Sequence, residues 1–363
     1  LHPRVRRQRQ MCIRDSLLPK PKTIKEQDGQ MLLCHSTHIV MTKEVAETEM
    51  HAAKRLQEAI RQETGLILPF SVGEVREGDL SLGIAKTLPE QTYEITIDEK
   101  GGQISGGDGA GVLYGVETFC QIVQQCGGIL PCVQIQDAPD MPNRGYYFDQ
   151  TRGRVLKLEE LKKIADRMCR YKLNQLQLYV EHTYLFRDFS EMWRDQTPLT
   201  AEEILELDSY CRERHIELVP SLASFGHLCT LLSTKTYGDL CEMEDSWKEP
   251  FSFWNRMRYH TINVSDERSL PLIKKVIAEY MQLFSSNKFN ICADETFCLG
   301  KYKSKKLAEE RGVHRLYIDY VKELAQFLVE NGKIPMFWGD IIWNSPELMK
   351  ELPETMVLSL IHI

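Results

Sequence analysis

A chain of 363 residues exceeds one ordinary domain and leaves room for two cores. With 42% hydrophobic and 27% charged residues it has the composition of an ordinary globular protein, which excludes a fibrous or disordered chain. A net charge of -7 removes the electrostatic reason to expect nucleic acid or an anionic membrane as partner, and no apolar run approaches the roughly 20 residues of a bilayer span, so a neutral or small substrate fits better.

Residues 1–16, LHPRVRRQRQMCIRDS, carry five arginines without apolar periodicity and are expected to lie outside the fold as a leader. Met11 to Ser16 and the closing Leu358 to Ile363 both resemble translated sequencing-adapter read-through. A transit segment is the alternative for the arginine-rich start. On the favoured reading the native chain starts near Leu17 and continues past residue 357.

From Leu17 to about Asp140 the pattern is that of a small α/β domain. Met31 to Met41 is expected to be extended; Met50, Ala53, Leu56 and Ile60 recur at helical spacing on a helix ending near Gly65. Leu80 to Ala85 and the alternating Tyr93, Ile95 and Ile97 predict strands, with Lys100-Gly101-Gly102 turning the second into Gln103 to Ser105. Gly106, Gly107, Gly109 and Gly111 lead into a helix carrying Val112, Val116, Phe119 and Val123. Such a turn can cradle phosphate, but the G-x-G-x-x-G spacing fails and no P-loop lysine follows, so a tight turn is favoured.

Ile135 to Asn143 has the composition of a linker, and strand and helix then alternate over 141–357. Strands are expected at Tyr146–Phe148, Leu176–Val180, Glu217–Pro220, Phe289–Cys292 and Ile334–Trp338, and a sixth begins at Met356. Helices are expected at Leu158–Met168, Ala201–Arg214, Ser269–Phe284 and Leu316–Asn331. This order predicts a parallel sheet, doubly wound or closed into a barrel. Glu181, His227, Asp294 and Asp340 each lie at or beyond the C-terminal end of a different strand, which favours the barrel. The stretch from Arg144 to Val357 falls short of the about 250 residues such a barrel needs, so the expected fold is a (β/α)8 TIM barrel lacking its last two or three units.

Eleven cysteines show no C-x-x-C pair, and Cys34, Cys120 and Cys292 sit in apolar runs, so free thiols in a reducing, cytoplasmic compartment are expected. Asn263-Val264-Ser265 matches a glycosylation acceptor, a pattern frequent by chance. No H-E-x-x-H or paired Cys/His spacing suggests a metal, and no cofactor is expected.

Three Asp-Glu dipeptides occur. Asp98-Glu99 precedes a hairpin glycine pair and Asp266-Glu267 opens a helix, where acids favour the dipole; Asp294-Glu295 instead ends the buried-type strand Phe289 to Ala293, which would hold both carboxylates at a barrel mouth. The segment Ile291-Cys292-Ala293-Asp294-Glu295 resembles the Gly-Gly-Asp-Glu motif of glycoside hydrolase family 20. Arg144-Gly145-x-x-x-Asp149-x-x-Arg152 is similar to that family's first barrel strand, Val219-Pro220 through Ser224-Phe225-Gly226-His227 to its third, and Phe337-Trp338-Gly339-Asp340 to its fifth. The resemblance covers roughly 17–357 and looks nearest to the intracellular hexosaminidase D-like branch.

The resemblance implies an exo-acting β-N-acetylhexosaminidase that retains configuration, with the substrate's acetamido oxygen as nucleophile. Glu295 would be general acid and then base, and Asp294 would orient the acetamido group and stabilise the cationic intermediate. Arg144 would hold sugar hydroxyls, with a barrel-bottom ion pair as the alternative. His227 would set the protonation of the acid and Trp338 would wall the sugar ring, unless either is plain core. Glu181 would be a hydroxyl ligand and Asp340 a further binding residue. The chain departs from the family at Glu181-His182-Thr183, Cys292-Ala293 and Phe225, and the later tyrosine, acid and tryptophan of the acetamido pocket would lie beyond residue 357. A retaining barrel glycosidase with an enzyme carboxylate as nucleophile, or a non-catalytic carbohydrate-binding barrel, are the competing readings.

Overall fold

The protein, seen as a computed structural model, is described over residues 16–250 and 252–359 and forms two compact units. Of the expected leader only Ser16 falls within the described residues, and of the expected tail only Leu358 and Ser359 do.

The first unit comprises the residues up to Gly145 together with Lys163–Asn174 and Tyr210–Ile216. Its seven-stranded sheet contains β1 (Thr23–Leu32), β2 (Ile39–Met41), β3 (Phe70–Val72), β4 (Leu80–Ile84), β5 (Tyr93–Asp98), β6 (Gly101–Gly106) and β7 (Ile129–Asp137) in the order β1-β7-β5-β6-β4-β2-β3. Helix α1 (Met50–Thr64) follows its apolar spacing and stops where Gly65 takes a φ of 77°. Helix α2 (Gly109–Cys126) is buried continuously from Ala110 to Val123, well beyond the stripe that periodicity marks. Its Glu117 is neutralised by an ion pair with Arg55.

The glycine-rich turn is a packing device. A Cβ on Gly106 would lie 2.2 Å from the Val112 nitrogen and one on Gly111 2.2 Å from the Thr92 carbonyl, so only glycine admits this approach. Asp108 caps α2 by accepting from the Gly111 N–H at 2.7 Å and also accepts from the Gln91 N–H at 3.0 Å. Asp108→Ala should therefore lower stability by about 1–2 kcal/mol, read as a drop of a few degrees in Tm.

Several boundaries differ from expectation, among them the run expected from Met31 to Met41, which is broken between Leu32 and Ile39. Ile135 to Asp137 belongs to β7 and not to a linker, because its residues pair with both β1 and β5 inside the sheet. The first unit also includes two later segments through charge pairing: Asp166 lies 3.4 Å from Arg55 and 2.8 Å from Arg214, and Asp137 lies 3.5 Å from Lys172.

The second unit is built on β8 (Gly145–Asp149), β9 (Gln175–Val180), β10 (Glu217–Leu222), β11 (Lys288–Asn290), β12 (Ile334–Trp338) and β13 (Val357–Ser359). They stand in strict sequence order, and the ladders from β9 to β13 are parallel. A doubly wound sheet would reverse its order at a switch point, so the curled, unreversed order is that of a (β/α) barrel. Helices α3 (Leu158–Arg170), α4 (Ala201–Arg212), α5 (Ser269–Met281) and α6 (Val313–Glu330) alternate with the strands. Leu358 and Ser359, expected outside the fold, are ladder partners of Phe337 and Trp338.

Candidate active site

The cluster forms where β11 ends. Its ladder stops at Asn290, two residues earlier than expected, because Cys292, Ala293 and Glu295 take left-handed φ values of 57°, 61° and 46°. That backbone cannot continue a strand; it coils so that Asp294 and Glu295 project from the C-terminal end. Side-chain and backbone partners fix the coil. The Tyr317 hydroxyl donates to the Ala293 carbonyl at 2.9 Å, Trp338 N–H to the Cys292 carbonyl at 2.9 Å, and Glu295 N–H to Asp340 Oδ2 at 3.1 Å. Glycine at Ala293 would adopt this φ without strain. Ala293→Gly should thus retain activity and raise stability by about 0.5–1 kcal/mol, measured by denaturant unfolding.

His227 arrives from the loop after β10 with a φ of 59°. Its side chain is 2% exposed, and Nε2 lies 3.4 Å from both Asp294 Oδ2 and Glu295 Oε2. Burial works against the imidazolium, yet Asp294 foremost, then Glu181 and Glu295, hold its proton above the ordinary histidine range. Gly226 makes this approach possible, since a Cβ there would lie 2.7 Å from the Asp294 carbonyl. Of the two carboxylates Glu295 is the more open, 41% exposed against 26% for Asp294.

Both carboxylates line a cavity of about 580 Å³ shared with Tyr147, Arg152, Tyr179, Trp338, Asp340 and Trp343. The volume suits a small polar ligand held against aromatic walls. Trp338 meets Tyr147 edge-on, with ring centroids 5.0 Å apart. The Tyr147 hydroxyl is bound to Ser221 Oγ at 2.9 Å and lies 3.8 Å from the Cys292 sulfur; burial pushes both this phenol and the Cys292 thiol up, so neither is a nucleophile. The Asp340 carboxyl is also pushed up by burial and by the charge of Asp294, against the opposing effect of the Glu295 N–H.

Asp294, Glu295, His227, Trp338 and Asp340 are therefore brought together. Glu181 is not available as a hydroxyl ligand: its side chain is 3% exposed, Oε1 accepts from the Tyr179 hydroxyl at 3.0 Å and Oε2 from Arg256 Nη2 at 2.9 Å. Arg144 is not part of the cluster. It precedes β8 at the strand's N-terminal end, and its guanidinium is committed to the carbonyls of Met141, Pro142 and Lys172 and the Tyr114 hydroxyl. The cation at the cavity is Arg152, which stacks over Tyr179 at 4.7 Å and bonds Asp149 at 2.7 Å. Tyr147 and Tyr179 could have been found from strand alternation; Arg152 and Trp343 lie in loops where no period marks a facing direction.

The glycosyl hydrolase family 20, domain 2 profile matches residues 15–138, and that of the glycosyl hydrolase family 20 catalytic domain matches residues 142–359. Curated relatives include a beta-hexosaminidase of Porphyromonas gingivalis, 24% identical over 90% of this chain and 45% of its own length. Another, of Vibrio furnissii, is 26% identical over 77% of this chain and 48% of its own. The chain thus spans about half the length of these relatives. Among solved structures, Flavobacterium johnsoniae chitobiase superposes with a TM-score of 0.78 at 20% identity, over 94% of this chain and 54% of that one. The Streptomyces coelicolor GH20 beta-N-acetylhexosaminidase does so with 0.76 at 19%, over 95% and 69%. With the catalytic-domain match covering more than half of its residues, the chain belongs to glycosyl hydrolase family 20.

Proposed function

We propose that this protein is an exo-acting β-N-acetylhexosaminidase of the intracellular, hexosaminidase D-like kind, which removes terminal β-linked GlcNAc or GalNAc with retention. The observation that carries the reading is the sharing of one buried imidazole by two adjacent carboxylates, each 3.4 Å from His227 Nε2. A mechanism with an enzyme nucleophile needs carboxyl groups flanking the scissile bond about 5–5.5 Å apart. Two consecutive carboxylates sharing one imidazole suit instead an acid paired with a residue that orients the acetamido group, so that the substrate's own acetamido oxygen is the nucleophile. Glu295 then protonates the leaving oxygen and later activates water, while Asp294 accepts the acetamido N–H and faces the developing positive charge. Arg152 and the aromatic walls hold the sugar. An intracellular site of action is supported by Cys120, Cys169 and Cys292, unbridged thiols buried as core.

The test is release of 4-nitrophenol from β-GlcNAc, β-GalNAc and β-glucoside forms by the full-length protein. The N-acetylated substrates should be cleaved at least about 10²-fold faster, since only they carry the nucleophile. Preferential cleavage of the glucoside sinks the substrate-assisted reading, and no hydrolysis of any favours a binding barrel.

A further inference from the structure

We propose that Arg256 is a positioning residue of this active site, acting through Glu181 on His227. The proposal rests on the hydrolase reading above. Arg256 belongs to the short helix Phe253–Arg258, which buries none of its own residues and so has no core to hold it. Consecutive residues attach it to the site instead. Arg256 Nη2 donates to Glu181 Oε2 at 2.9 Å, and Met257 Sδ accepts from Arg152 Nη1 at 3.2 Å.

Glu181 is an anion enclosed in protein, and the groups around it are few. The Tyr179 hydroxyl lies 3.0 Å from Oε1, Arg152 Nε 4.0 Å from Oε1 and His182 Nδ1 3.9 Å from Oε2. Burial, and then the charge of Arg256, bring His182 down to about 4, so it supplies no cation. Arg152 is nearer to Asp149, at 2.7 Å, than to Glu181. Arg256 is therefore the principal counter-charge of Glu181. Neither residue lines the cavity, which sets them apart from sugar ligands.

The field of Glu181 reaches His227, which also faces Asp294 and Glu295. Arg256 offsets part of that field. Without it, His227 keeps its proton to higher pH, and an imidazolium 3.4 Å from Glu295 favours the carboxylate over the acid that must protonate the leaving group. Arg256 thus limits how firmly His227 holds its proton beside Glu295, without touching substrate.

The experiment uses Arg256→Gln, Arg256→Lys, Glu181→Gln and the Arg256→Gln/Glu181→Gln pair in the full-length protein. It reads the His227 imidazole titration by ¹⁵N NMR and the pH dependence of kcat and KM on 4-nitrophenyl β-GlcNAc. In Arg256→Gln the His227 midpoint should rise by about half a pH unit or more. The alkaline limb of kcat should move to lower pH, with kcat near neutrality down about tenfold and KM within about threefold. Lysine should restore part of the loss, and the double variant should lie closer to wild type than Arg256→Gln alone. An unmoved His227 midpoint in folded Arg256→Gln overturns the proposal, as does a raised KM with an unchanged pH profile. If Arg256→Gln does not fold, Glu181→Gln decides: its His227 midpoint must fall, and one that stays in place overturns the proposal. The titration needs no turnover, so inactivity on β-GlcNAc would defeat the hydrolase reading alone.

Discussion

Glu295→Gln should lower kcat/KM for an oligosaccharide ending in β-GlcNAc by about 10³-fold or more, because in the proposed mechanism the variant can neither protonate the leaving oxygen nor activate water. The effect is large because the group is placed without slack. Glu295 projects from a left-handed backbone whose N–H is tied to Asp340 at 3.1 Å, and His227 Nε2 stands 3.4 Å from its carboxylate. Leaving-group acidity separates its two tasks. A 4-nitrophenyl glycoside needs little help in expelling its aryl oxide, so kcat/KM for that substrate should fall less than for the oligosaccharide. Water attack still lacks its base, and the aryl substrate should show a burst followed by a slow steady state. Equal losses on the two substrates would remove Glu295 from the acid role, and unchanged activity would remove it from the chemistry.

Asp294→Asn should lower kcat by about 10²–10³-fold with a small change in KM, as expected for charge stabilisation realised mainly in the transition state. Asparagine retains the size of the side chain and loses the charge that, in the proposed mechanism, faces the oxazolinium-like intermediate. The N-trifluoroacetyl substrate gives a second reading, since its amide oxygen is a weaker nucleophile. Wild type should cleave it much more slowly than the acetyl form, at matched leaving group. If the two are cleaved at equal rates, the amide does not attack and an enzyme nucleophile must be sought. If Asp294→Asn keeps activity within about threefold, the charge has no part in the rate-limiting step.

Much of the fold is legible in the sequence. The alternation of apolar residues in Tyr93, Ile95 and Ile97 matched β5, and the spacing of Met50, Ala53, Leu56 and Ile60 matched α1, because both patterns are local consequences of how a strand or helix presents its side chains. The failures also have local causes. Ile135 to Asp137 carries the polar residues Gln136 and Asp137, whose pairing as part of β7 depends on partner strands more than 30 residues away. The β11 boundary departs from the sequence expectation because Cys292 and Ala293 continue an apolar run, whereas the structure holds them left-handed, as a glycine pair would be held.

The sequence alone gives the long helices, the parallel order of the later strands, and the choice of Asp294-Glu295 among three Asp-Glu dipeptides. The other two proved to be turn chemistry: Asp98 accepts from the Lys100 and Gly101 N–H groups, and Asp266 pairs with Arg268, just before α5. Which charged side chains meet is set by the folded chain and not by spacing. Arg144 and Arg152 stand at opposite ends of the same strand and motif, yet Arg144 is consumed by backbone carbonyls and Arg152 lines the cavity. Glu181 acquires Arg256 from 75 residues away and ceases to be a free ligand. Side-chain periodicity is set by the backbone and can be read along the chain. A buried charge must find its counter-charge wherever the fold brings one, and that choice is made by loop paths rather than by spacing.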